Sequence, residues 1–212
     1  MKPKVTIISY GAGNLFSIAC SFKYCGAEVV ITEDPILIEE AVNLVIPGVG
    51  AFGDCMKRLN EKQLIIPILN CAKKGTKILG ICIGMQVLFD ESEEFGQHKG
   101  LGLLSGNVMH FPKIDFSGNV RKVPHIGWSK LSRNNIDRND SVLNQIKEND
   151  YCYFAHSYFA IPKNKNNILA NSYYGDFQFC SAVKKNNITG CQFHPEKSGE
   201  VGLKIIKNFI VT

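Results

Sequence analysis

Five residues, Gly80-Ile81-Cys82-Ile83-Gly84, constrain this chain more than any other segment. They follow the apolar run Lys77-Ile78-Leu79 and precede Met85-Gln86-Val87-Leu88-Phe89, so a strand pattern gives way to a helix pattern at the cysteine. Small residues on both sides let the backbone turn sharply and hold the Cys82 side chain at the tip, as in a nucleophile elbow. The segment predicts an enzyme that passes an acyl group through a thioester on Cys82.

The surrounding pattern supplies the scaffold that such an elbow needs. Over the first ninety residues, short β-branched runs at 5–9, 28–32, 44–46 and 77–81 alternate with amphipathic helix candidates at 15–25, 35–41, 54–60 and 65–74. That alternation is the signature of βαβ units and a mostly parallel, doubly wound sheet. Beyond Gly100 the runs shorten, at 106–110, 151–154 and 168–171, and are broken by polar clusters at 132–140 and 162–167, which reads as antiparallel strands with exposed turns. A strand-like run at 188–193 and an amphipathic helix at 199–209 close the chain. With 212 residues, 45% of them hydrophobic, the expectation is one domain spanning 1–212.

Several function classes fall away. The eight cysteines are scattered, with no C-x-x-C pair, so neither a metal site nor a dithiol centre is expected, and no organic cofactor is called for. The start of the chain lacks the pattern of a signal peptide and no apolar run is long enough to cross a bilayer. A cytoplasmic protein with reduced thiols and no membrane contact is the expectation. The net charge of +5 is spread along the chain and not gathered into an aromatic-interleaved stripe, which argues against nucleic-acid binding.

A cysteine nucleophile needs a base, and the base needs an orienting group. Of the five histidines, His194 follows a strand-like run, precedes Pro195, and has Glu196 two positions on, where an extended segment brings both side chains to one face. Taken alone, His194 is equally a strand-end histidine satisfied by local hydrogen bonds. The loop Pro47-Gly48-Val49-Gly50 follows the third strand candidate and so lies beside the elbow at the carboxyl edge of an open sheet. Its glycines permit a peptide N–H to face a developing oxyanion, which assigns the oxyanion hole to the backbone N–H groups of Val49 and Ile83. The run Asp90-Glu91-Ser92-Glu93-Glu94 reads as a solvated helix end, and His125 and His156 as structural histidines.

The elbow through Gln86, the loop at 47–50 and the distal His194-Pro195-Glu196 together resemble the class I, triad-type glutamine amidotransferases. The resemblance extends through Tyr10-Gly11-Ala12-Gly13-Asn14, residues 89–94, Val123-Pro124-His125-Ile126-Gly127-Trp128, Tyr153-Phe154-Ala155-His156-Ser157-Tyr158 and Lys197-Ser198, and so covers nearly the whole chain. It implies a flavodoxin-like α/β fold whose mostly parallel central sheet is flanked by helices and carries an added antiparallel segment. Cys82 would attack the carboxamide of glutamine, His194 would move the proton, and Glu196 would fix the imidazole. Gln86 and the Gly50 region would hold the amino-acid end of the substrate.

Within that family the resemblance is to subunits that pass ammonia, in a heterodimer, to a (β/α)8-barrel cyclase that forms an imidazole ring in histidine biosynthesis. Asn14, Trp128, Tyr153 and Lys197 would then face the partner. The segment His125-Ile126-Gly127-Trp128-Ser129 departs from the family's usual Met and Asn around the Gly-Trp pair, a change at the docking face and not at the triad. A paralogue feeding a different synthase, such as a sugar amidotransferase for surface glycans, stays open at this point. So does a non-catalytic module on the same fold, although that reading predicts a broken triad.

Overall fold

The protein is described here by a computed structural model over residues 2–133 and 142–211. Strands β1 (Lys4–Ile8), β2 (Glu28–Thr32), β3 (Asn43–Ile46) and β4 (Lys77–Ile81) alternate with helices α1 (Leu15–Tyr24), α2 (Pro35–Glu39), α3 (Phe52–Glu61) and α4 (Ile65–Lys74). Each helix start has a local cause where a cap is present. Asn14 Oδ1 accepts from Ser17 N at 3.2 Å at the head of α1, and Asp34 Oδ1 accepts from Ile36 N at 2.9 Å before Pro35 opens α2.

The second half contributes α5 (Ile83–Gln86), β5 (Phe89–Ser92), β6 (His98–Lys99), β7 (Leu104–His110), β8 (His125–Lys130) and β9 (Ser132–Arg133). After these come β10 (Tyr151–His156), β11 (Tyr158–Pro162), β12 (Ile168–Tyr174), β13 (Phe177–Lys185), β14 (Ile188–Cys191) and α6 (Gly199–Val211). The described residues form an eight-stranded sheet in the order β2-β1-β3-β4-β14-β13-β12-β9, a four-stranded sheet β11-β7-β5-β6, and a β10-β8 ribbon. In the large sheet β2, β1, β3, β4 and β14 run parallel, and β13, β12 and β9 extend it antiparallel. The 2-1-3-4 order is that of a flavodoxin-like doubly wound sheet, as the resemblance implied.

Central parallel strands are covered on both faces, which is why β3 and β14 are buried at every residue, the polar Asn43 and Thr189 included. The antiparallel part packs around Phe111, whose ring meets those of His125, His156, Phe159, Phe177 and Phe179. In that apolar setting the charged imidazole is disfavoured, and burial pushes the pKa of His125 down to about 4 and that of His156 down to about 3. Both are therefore neutral.

Two expectations fail between residues 85 and 94. The helix after the elbow ends at Gln86, and Phe89 already belongs to β5. Asp90–Glu94 is therefore no solvated helix end: β5 pairs with β6 and β7, Ser92 is buried, and Glu94 is buried with its carboxylate accepting from Phe52 N at 2.6 Å. A run of acidic residues hid a strand, and the acid two residues beyond it, Glu94, is needed at the head of α3. The polar cluster at 132–140 lies outside the described residues except for Ser132 and Arg133, which form β9.

Candidate active site

Loops leaving the carboxyl ends of β1, β3, β4 and β14 meet at one edge of the sheet, since these strands run parallel. The elbow sits between the other three. Cys82 adopts φ 54° and ψ −111°, a conformation a non-glycine residue holds only under constraint. Its N–H donates to Cys191 O at 2.7 Å, and its carbonyl accepts from Met85 N and Gln86 N, which locks the turn into α5. A Cβ on Gly84 would run into the Ile46 carbonyl, and one on Gly80 into the Gly84 carbonyl, so both flanking glycines are required by close approach.

The strand next to β4 delivers the histidine. His194 is buried and places Nδ1 2.8 Å from Glu196 Oε1. Burial opposes its positive charge, but the hydrogen bonds and negative charges of Cys82 and Glu196 outweigh burial and raise its pKa to about 10. The segment is stitched to β10: His194 N donates to Tyr153 O at 2.9 Å, while Ser198 Oγ accepts from Tyr153 N at 3.0 Å and donates to His194 O at 2.7 Å.

A cavity of about 270 Å³ opens on Cys82 and His194. Val49, Gly50, Ile83 and Gln86 line it, so every residue expected at the oxyanion and substrate sites borders one space. The loop carrying Val49 and Gly50 is held at its start by Tyr10, whose hydroxyl donates to Pro47 O at 2.5 Å, and at its end by Glu94 on Phe52 N. The residues expected at a partner face also gather. Trp128 is half-exposed and packs edge-on to Tyr153 at 6.0 Å, Lys197 Nζ lies 5.7 Å from the Tyr153 ring, and Tyr153 lies 6.5 Å from His194. Asn14 is exposed at the head of α1 and caps it.

Sequence reasoning missed Glu94, His156 and Tyr158 on the cavity wall and Gln192 behind the cysteine. Burial lifts the pKa of Glu94 while the Phe52 N–H opposes the rise, so an acid faces the substrate space from a partly apolar setting. A usable signal existed only for Gln192, a polar residue between Cys191 and Phe193 at the end of an apolar run. Among the described residues no cluster of His, Cys, Asp and Glu could hold a metal ion, and no helix is long and apolar enough to cross a membrane.

Residues 6–212 match the family described as glutamine amidotransferase class-I. The chain is 45% identical over 209 residues to imidazole glycerol phosphate synthase subunit HisH of Geobacter metallireducens, covering 98% of both sequences. It is 45% identical over 208 residues to imidazole glycerol phosphate synthase subunit HisH 1 of Legionella pneumophila strain Lens, covering 97% of this chain and 98% of the relative. Among solved structures it is similar to PurLQS from Thermotoga maritima, with TM-score 0.74 at 20% identity over 99% of this chain and 98% of that one. It also matches a glutamine amidotransferase crystal structure, with TM-score 0.70 at 17% identity over 94% of each chain. At that identity the structures speak for the fold, and the family match and the relatives speak for descent: this chain belongs to the class-I glutamine amidotransferases.

Proposed function

We propose that this chain is the glutaminase subunit of an imidazole glycerol phosphate synthase, acting in histidine biosynthesis as one domain over residues 1–212. The observation that carries the chemistry is Cys82 on its strained elbow, sharing the wall of a cavity of amino-acid size with a His194 that Glu196 orients. The Cys82 thiolate attacks the carboxamide carbon of glutamine, and the N–H groups of Val49 and Ile83 receive the oxyanion. His194, as imidazolium, gives its proton to the leaving nitrogen, and ammonia departs as the thioester forms. Water, deprotonated by His194, then hydrolyses the thioester to glutamate and restores the thiolate. Gln86, Gly50 and the Glu94 carboxylate suit the polar amino-acid end of the substrate.

Ammonia then passes to a (β/α)8-barrel cyclase subunit docked, as a heterodimer, on Asn14, Trp128, Tyr153 and Lys197. Tyr153 supports this reading, because its backbone is bonded on both sides to the His194–Ser198 segment, so a partner pressing on it reaches the base directly. The cytoplasm is the place for such a step. Near full-length identity to the imidazole glycerol phosphate synthase subunits favours that acceptor over a sugar amidotransferase.

Glutamate release tests the reading. The intact chain with a barrel cyclase should hydrolyse glutamine, and Cys82→Ala should lose at least about a thousandfold of that rate. Undiminished hydrolysis by Cys82→Ala would remove the thioester from the mechanism.

A further inference from the structure

Cys82 Sγ has a neighbour that the triad does not account for. Gln192 is fully buried, and its Nε2 lies 3.7 Å from the sulfur, which also lies 3.9 Å from the Ala155 carbonyl oxygen. Which end of that amide faces the sulfur follows from the hydrogen-bond network. Gln86 sits 2.9 Å from the Tyr158 carbonyl, an acceptor only, so the atom there is Nε2 and donates. The same nitrogen lies 3.0 Å from Gln192, whose facing atom must then be the oxygen. An N–H of Gln192 is thereby turned to Cys82.

We propose that Gln192 is a catalytic residue that donates a hydrogen bond to the Cys82 thiolate, and that Gln86 is the positioning residue that fixes the direction of this donor. The inference rests on the glutaminase reading for its purpose and on geometry for its content. The donor needs no rearrangement to act. Gln192 N is bonded to Ser181 O at 2.9 Å, and the preceding residue, Cys191, accepts from Cys82 N at 2.7 Å, so the donor and the sulfur are carried by one rigid pair of strand ends. A thiolate that accepts this N–H is held at a defined point, with part of its charge met by a donor already in place. Gln86 Oε1 is buried and has no hydrogen-bond partner among the described residues.

Alkylation of the full-length chain by iodoacetamide, read peptide by peptide at Cys82 across pH, measures the thiolate directly and needs no turnover. Gln192→Met keeps the volume and removes the donor. The acid limb of its Cys82 rate curve should move to higher pH by about one unit, a tenfold lower rate at a given pH on that limb. Gln86→Met, which frees the Gln192 amide to turn, should move the limb the same way, and it serves if Gln192→Met does not fold. Superposable curves for the folded variants and the wild type would overturn the proposal. Should the shift appear while the wild type with a barrel cyclase releases no glutamate, the donor stands and the glutaminase reading falls.

Discussion

His194 decides the protonation of the site at the scale of single residues. Its pKa is raised to about 10 against the usual value near 6.5 for an imidazole, so it carries a proton at neutral pH despite burial. The sign follows from the two states. A group held protonated in the folded chain contributes stability in full below its unfolded pKa, and that contribution is lost as pH rises through about 10. In Cys82→Ala the hydrogen bond and the charge of Cys82 disappear, leaving Glu196 against burial, and His194 should release its proton at lower pH. Titration of the imidazole resonances by NMR checks this, and an unchanged midpoint would show that Glu196 alone sets the value. Cys82, His194 and Glu196 were legible in the sequence because the elbow and the X-Pro step constrain the backbone locally. Glu94 was not, because its role depends on the head of α3, and four flanking polar residues made it look solvated.

The elbow works as an element only because β3, β4 and α5 approach more closely than side chains allow. Gly84 faces the Ile46 carbonyl with no room for a methyl group, so Gly84→Ala must displace either β3 or the turn. Overpacking of this kind costs about 1–3 kcal/mol, which urea denaturation would register as a lower midpoint at unchanged slope. Glutaminase activity should fall further than stability, since Cys82 and the Val49–Gly50 loop lie on either side of the displaced backbone. Wild-type stability in Gly84→Ala would show that the elbow has slack. The early βα alternation was readable because each strand is a continuous apolar run and each helix has a period of its own. Strands β5 and β8 were not, since each is short and half-exposed, and its identity comes from the strand it pairs with.

At the scale of the whole molecule, a partner docked on Trp128 would act on His194 through β8 and β10. Trp128 is 53% exposed on β8, opposite Tyr153 in the ribbon register, and Tyr153 carries the backbone bonds to His194. The isolated chain should therefore turn glutamine over slowly and be stimulated by the barrel subunit; full turnover by the chain alone would refute this. Trp128→Ala should weaken the complex by about 2 kcal/mol, roughly thirtyfold in Kd, with the folded chain intact, and titration calorimetry against the barrel subunit measures it. By itself the sequence determined the early parallel strands and the elbow and marked His194 and Glu196 as candidates, because strand and helix periodicities, glycine spacing and a proline act over a few residues. Tertiary structure alone decided that Gln192 turns its N–H to Cys82, that Glu94 borders the cavity at Cys82, and that Tyr153 stands 6.5 Å from His194 with Trp128 and Lys197 against its ring. Those are contacts between side chains distant along the chain, and only the packing of β4, β10 and β14 against one another sets their distances.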